Sequence, residues 1–393
     1  MAISKKIEGF ISQSSWIRRM FEDGIRLKKE YGAENVFDFS LGNPNVEPPA
    51  RFKELLVEVA GEDIPGIHGY MPNAGFQDTR SAVAAQLSRE HSTGISWEHI
   101  IMTCGAGGAL NVALKTLLDP EDEVIIPTPF FVEYRFYVDN HGGVSKLVDT
   151  NDDFSLNLQA IEDAITEKTK VILINSPNNP TGKVYDEETI RGLGALLEKK
   201  AKELGREIYL LSDEPYREIV YDGVKVPSIL QAYKNSIIAT SYSKSISLAG
   251  ERIGYLALNP VISDLEILTG GMILCNRIIG FVNAPAFMQR VIGRMQGTTV
   301  AVEEYKRKRD LLCDGLSSLG YQFEKPEGAF YLFPRLPIED DVEFVRVLQE
   351  KKILTVPGSG FGKSGHIRIS YCVGDSTIIN SMKGFEEAIR ECS

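Results

Sequence analysis

The chain has 393 residues, more than one hydrophobic core usually serves, so two domains are expected. Hydrophobic residues make up 43% and charged residues 25%, the balance of a globular protein, and a net charge of −11 argues against general nucleic-acid binding or adsorption to an anionic membrane. Five scattered cysteines (Cys104, Cys275, Cys313, Cys372, Cys392) without CxxC spacing favour reduced thiols, and a charged N-terminus and the lack of any membrane-length apolar run point to a cytoplasmic protein.

Residues 16–31 read as a charged helix. Apolar runs of strand length follow at Ile100-Ile101-Met102, Val124-Ile125-Ile126, Val171-Ile172-Leu173-Ile174, Ile208-Tyr209-Leu210-Leu211 and Ile237-Ile238-Ala239. Helix-like stretches such as 108–118 and 187–204 lie between most of them. This alternation predicts an α/β domain around a mainly parallel sheet, with ligands at the carboxyl ends of the strands. The unusual motifs sit there: Gly105-Ala106-Gly107-Gly108, Asn175-Ser176-Pro177-Asn178-Asn179-Pro180-Thr181-Gly182, Ser212-Asp213-Glu214-Pro215-Tyr216 and Ser241-Tyr242-Ser243-Lys244. From about Asn283 the pattern changes. Positions 285–318 carry one long amphipathic pattern, followed by short strands at Phe330-Tyr331-Leu332-Phe333, Ile353-Leu354-Thr355-Val356 and His366-Ile367-Arg368-Ile369-Ser370. This reads as a smaller α+β domain attached by a long helix.

Lys244 and Arg252 carry the most specific chemistry. A lysine after a strand that ends in hydroxyls can form a Schiff base with a carbonyl compound. Arg252 offers a guanidinium fork that matches phosphate, so the pair suits a phosphorylated aldehyde. Read alone, the stretch also fits a polar turn with a solvated lysine.

From about Gly42 to Arg368 the ordered motifs resemble the aspartate aminotransferase branch of the fold-type-I pyridoxal-phosphate (PLP) enzymes, the class I/II aminotransferases. The resemblance implies a large cofactor-binding domain (46–284), with a mainly parallel seven-stranded sheet flanked by helices. It also implies a smaller α+β domain made of 1–45 and 285–393. Lys244 matches the lysine that holds PLP as a Schiff base and later moves the substrate Cα proton. Asp213 matches the carboxylate that pairs with the protonated ring nitrogen and keeps the ring an electron acceptor, its plainer role being a helix cap. Tyr216 and Asn179 match donors to the ring phenolate, and Asn179 also faces substrate.

Gly105, Ala106 and Gly107, at a helix N-terminus, match the phosphate cup together with Ser241 and Arg252, and more weakly Ser243. Phe131 matches the aromatic that stacks on the ring, the alternative being core packing beside Phe130. Arg368 matches the arginine that grips the α-carboxylate. Gly42 matches the glycine whose backbone approaches that carboxylate, or simply permits a turn. Tyr70 matches the tyrosine that reaches a partner subunit's phosphate, which implies a homodimer with shared active sites.

The implied activity is transfer of an amino group from an α-amino acid to a 2-oxoacid. In one branch a lysine follows a Gly-Gly pair and binds the distal carboxylate of the substrate. Gly107 stands there instead, and the N-terminal helix offers Trp16-Ile17, so neutral, apolar or aromatic donors are expected over acidic ones unless the partner subunit brings an arginine. A PLP-dependent carbon–sulfur β-lyase shares the first steps and is the rival within the fold. A PLP-binding regulator would need a DNA-binding module ahead of Gly42, where little room is expected. A dinucleotide site lacks its third glycine, replaced by Leu110. His68, His91, His99, His141 and His366 show no ligand spacing, so no metal is expected.

Overall fold

The computed structural model describes residues 3–12 and 16–392. Side chains at 12 and 16–22 are not described, so the Trp16-Ile17 pair falls outside the described residues. The N-terminal segment contributes β1 (Phe37–Asp38). Seven further strands form one sheet: β2 (Ile100–Thr103), β3 (Glu123–Thr128), β4 (Val144–Asp149), β5 (Thr169–Asn175), β6 (Tyr209–Asp213), β7 (Ser236–Ser241) and β8 (Gly254–Leu258). Their order is β2-β8-β7-β6-β5-β3-β4. All neighbours are parallel except those of β8, which runs antiparallel between β2 and β7.

Alternation along each strand sends successive side chains to opposite helix layers. Ile172, Ile174, Leu210 and Ile238 pack with Val83, Leu193 and Leu197 on one side. Val171, Leu173, Leu211 and Ile237 pack with Leu110, Leu114 and Met272 on the other. Burial on both faces is what makes these strands read as continuous apolar runs. β4 and β8 lie outside the five runs read from sequence. β4 is an edge strand with Val144, Leu147 and Asp149 exposed, and β8 contains Gly254 and Ala257, poor strand formers.

A second core surrounds β9 (Tyr331–Leu332), β10 (Ile353–Leu354), β11 (Val356–Pro357) and β12 (Ile367–Ser370). β12 lies between β9 and β11, antiparallel to both, and β1 pairs in parallel with β10. The long helix expected over 285–318 is instead two helices, Ala286–Gly293 and Val302–Ser318. Gly297, at φ 78, and the β-branched Thr298, Thr299 and Val300 fill the break, where helix propensity is low. The first of the two packs Met288, Val291 and Ile292 against the helix layer of the large sheet.

Candidate active site

The carboxyl ends of β5, β6 and β7 converge on a cavity of about 210 Å³. Ala106, Gly107, Phe131, Asn179, Asp213, Tyr216, Ser241, Ser243, Lys244 and Arg252 all line it. Gly105, Gly42 and Arg368 stand one contact behind that wall. Tyr70 is apart from it and 92% exposed.

Asp213 closes β6 and is buried. Its Oδ2 accepts the Tyr134 hydroxyl at 2.6 Å, its backbone carbonyl accepts the Asn175 side-chain amide at 2.7 Å, and its Oδ1 has no partner. Burial pushes the carboxyl up to about 7, against the pull of the Tyr134 hydrogen bond. A solitary buried carboxylate oxygen is costly until a donor or cation meets it. A protonated ring nitrogen is such a donor, so this residue fits PLP.

Lys244 lies in the turn Tyr242–Ser245 that follows β7. Its Nζ donates to the Gly42 carbonyl at 2.5 Å and sits 5.4 Å from the centre of the Phe330 ring. Burial lowers the ammonium to about 8, Arg368 and Arg252 adding to the fall and Cys372 opposing it. A lysine brought that low holds an appreciable fraction of the neutral, nucleophilic amine near pH 7.

The helix Gly105–Leu117 begins at the cavity. Gly105 adopts φ 71, and a Cβ there would lie 2.7 Å from the Arg252 guanidinium, so glycine alone lets this cation approach the helix start. Arg252 donates to the Ala249 carbonyl at 2.9 Å and has no ion pair among the described residues. Ser241 accepts the Ser243 amide at 3.4 Å. Free amides, a hydroxyl and an unpaired guanidinium make an anion cradle of the kind a phosphate needs.

Arg368, on β12, is buried. Its Nη1 donates to Asn179 Oδ1 at 3.1 Å and its Nη2 to the Ser40 carbonyl at 2.5 Å, while Nε has no partner. The guanidinium lies 4.7 Å from the Tyr331 ring centre and 4.8 Å from that of Phe361. Burial pushes its pKa below the usual arginine value, and no carboxylate pairs with it among the described residues. A buried cation in that condition calls for an anionic ligand.

Tyr216 presents its hydroxyl 3.0 Å from that of Tyr331. A Cβ on Gly42 would overlap the same Tyr331 hydroxyl, and Gly42 does not adopt a left-handed φ. Close approach, not a turn, is therefore what requires glycine at 42. Phe131 faces the cavity and meets Tyr134 edge-on at 5.5 Å, whereas Phe130 turns into the core. Tyr134, Tyr331 and Tyr137 lie outside the motifs, and Asn175, which opens one of them, is given no role there. For Asn175 a signal existed, a polar residue closing a buried strand.

A family model described as aminotransferase class I and II matches residues 34–381. A probable aspartate aminotransferase of Methanocaldococcus jannaschii is 34% identical over 366 residues, covering 91% of this chain and 94% of the relative. An aromatic-amino-acid aminotransferase 2 of Thermococcus litoralis is 30% identical, covering 100% of this chain and 99% of the relative. A solved amino transferase structure from Eubacterium rectale superposes with a TM-score of 0.96 at 40% identity, covering 100% of this chain and 99% of that one.

Proposed function

The chain belongs to aminotransferase class I and II, PLP-dependent enzymes that act on an amino acid and a 2-oxoacid, and on that premise we propose a role for each residue around the cavity. Bound PLP supplies an aldehyde for amines and a cationic ring that takes up the electrons released when the substrate Cα loses its proton. Lys244 anchors it and, once free of the Gly42 carbonyl, takes the Cα proton on Nζ and returns it. Asp213 Oδ1 holds the ring-nitrogen proton, with Tyr134 fixing the other oxygen. Tyr216 and Asn179 donate to the ring phenolate oxygen, and Phe131 covers the ring face. The amides of Gly105, Ala106 and Gly107, with Ser241 and Arg252, hold the phosphate. Arg368, Asn179 and the backbone at Gly42 receive the substrate α-carboxylate.

What supports this reading most is the partnerless Asp213 Oδ1 in the same cavity as Lys244. Borohydride reduction followed by peptide mapping tests it. An adduct on Lys244 is expected, and one on Lys183 or Lys225 overturns the assignment.

The donor preference we propose is for neutral over acidic amino acids, because Gly107 brings no cation to a distal carboxylate. A catalytic efficiency for aspartate more than about a hundredfold above those for alanine, methionine and phenylalanine, roughly 2.7 kcal/mol, overturns it. We further propose a cytoplasmic two-fold homodimer in which the exposed Tyr70 serves the partner's phosphate; full activity in a monomer contradicts that arrangement. Among the described residues no helix is long and apolar enough to cross a membrane. The domains proposed are 46–284 and the union of 1–45 with 285–393, the helix Ala286–Gly293 packing onto the first.

A further inference from the structure

A second cavity, of about 560 Å³, shares no lining residue with the candidate active site. Its size is that of a small-molecule pocket. On the helix Leu265–Ile278, Leu265, Thr269 and Ile273 are spaced four apart and bring one helix face to it. Pro72 and Trp97 extend the apolar wall. Among them stands Arg80, from the helix Gln77–His91, only 6% exposed and with its guanidinium 4.8 Å from the centre of the Trp97 ring. Its Nε donates to the Ile100 carbonyl at 2.7 Å. Its two terminal nitrogens are neither hydrogen-bonded nor shut off from solvent, and no carboxylate lies within ion-pair distance among the described residues. Burial lowers its pKa to about 10, so it remains a cation at neutral pH.

We propose that this cavity binds an apolar monocarboxylate, with its carboxylate on the Arg80 fork and its body along Trp97, Leu265 and Ile273. A guanidinium held in an apolar wall without a counter-ion favours an anion, and two free terminal nitrogens match the two oxygens of a carboxylate. Only one charge is accepted, because Glu98 and Glu266, both exposed, line the same cavity and repel a second. Glu98 acts on Arg80 only through space, its Oε2 accepting the Ser96 hydroxyl at 3.5 Å.

Phenylpropanoate tests this on the cofactor-loaded protein, since it carries neither the amine nor the ketone that amino transfer requires. The chain has two tryptophans, so Trp16→Phe leaves Trp97 as the reporter in the cavity wall. Its fluorescence is expected to saturate with phenylpropanoate. Phenylpropanamide, the same shape without the charge, is expected to bind at least about tenfold more weakly. Arg80→Gln is expected to weaken the acid by at least about tenfold. Gly270→Glu carries the test if that variant does not fold. A Cβ at Gly270 meets nothing within 4 Å, so the added carboxylate is accommodated at the cavity and repels the acid to a similar extent, whereas Gly270→Lys does not. No saturation up to about 10 mM by fluorescence and calorimetry, as when a second copy of the chain fills the cavity, overturns the proposal, and so does equal binding of acid and amide. Binding left unchanged in whichever variant folds overturns it too; if Arg368→Gln abolishes that binding instead, the acid sits in the active site.

Discussion

At one end of the cavity, Asp213, Ser241 and Lys244 hang from the ends of β6 and β7, neighbours locked in parallel register. At the other, Arg368 comes from β12, Tyr331 from β9, and the Ser40 and Gly42 carbonyls from the N-terminal segment. The first set is positioned by strand hydrogen bonds that do not depend on side-chain identity. The second is positioned by contacts between segments far apart in sequence, Arg368 and Asn179 being 189 residues apart. On the roles proposed above, cofactor chemistry is tied to the sheet, while substrate choice rests on parts that can change without disturbing it.

If the strand-end set is self-sufficient for holding PLP, Lys244→Ala lowers turnover by roughly four orders of magnitude while the cofactor still binds, followed by absorbance and turnover together. Complete loss of cofactor in that variant breaks the comparison. Asp213→Asn comes next. Losing a buried charge pair costs roughly 3–5 kcal/mol, so Cα proton removal measured in single turnover slows by about two to four orders of magnitude. A near-normal rate shows that the ring is not used as an electron acceptor in this way.

Arg368→Gln sharpens the contrast from the other end. Loss of one charge-assisted bond, worth about 1.5–3 kcal/mol, lowers kcat/KM for amino acids by about tenfold to 150-fold, with PLP affinity unchanged. A variant that loses PLP as well shows the two ends to be one unit.

The smallest effect concerns stability without cofactor. Asp213 is raised from 3.8 to about 7 in the folded chain, so the folded state holds this proton more tightly than the unfolded one. That contribution is complete below the ordinary carboxylate value and is lost as pH rises through about 7. The Tm of the cofactor-free protein therefore falls across this window, and Asp213→Asn flattens the fall by a few degrees. An equal slope in both proteins removes Asp213 as its source.

The same contrast explains what was legible in the sequence. Asp213 and Ser241 close the buried strands β6 and β7, and Lys244 follows the second by three residues, so a local pattern marks them. Tyr134 bonds a partner 79 residues away, and nothing near it in sequence announces that contact. Ser40 acts through its carbonyl, which every residue carries, and nothing in the sequence marks it. The helix Glu187–Leu204 is readable to its ends because Asp186 caps it, accepting from the Thr189 amide, and Gly205 stops it at φ 64. The break between Gly293 and Val302 is hidden, because the amphipathic pattern runs on across it.

The Ser40 and Gly42 carbonyls bear on how this protein tolerates change. One holds Arg368 and the other Lys244, from positions two residues apart on one stretch of chain. Replacing the Ser40 side chain removes only its 2.6 Å bond to Asp38 and leaves the carbonyl in place. A single-residue deletion between Phe39 and Gly42 instead slides both acceptors away from their cations at once. At Ser40 composition is negotiable, but the length of this stretch is not, so a screen made only of substitutions at that position passes over its most sensitive property.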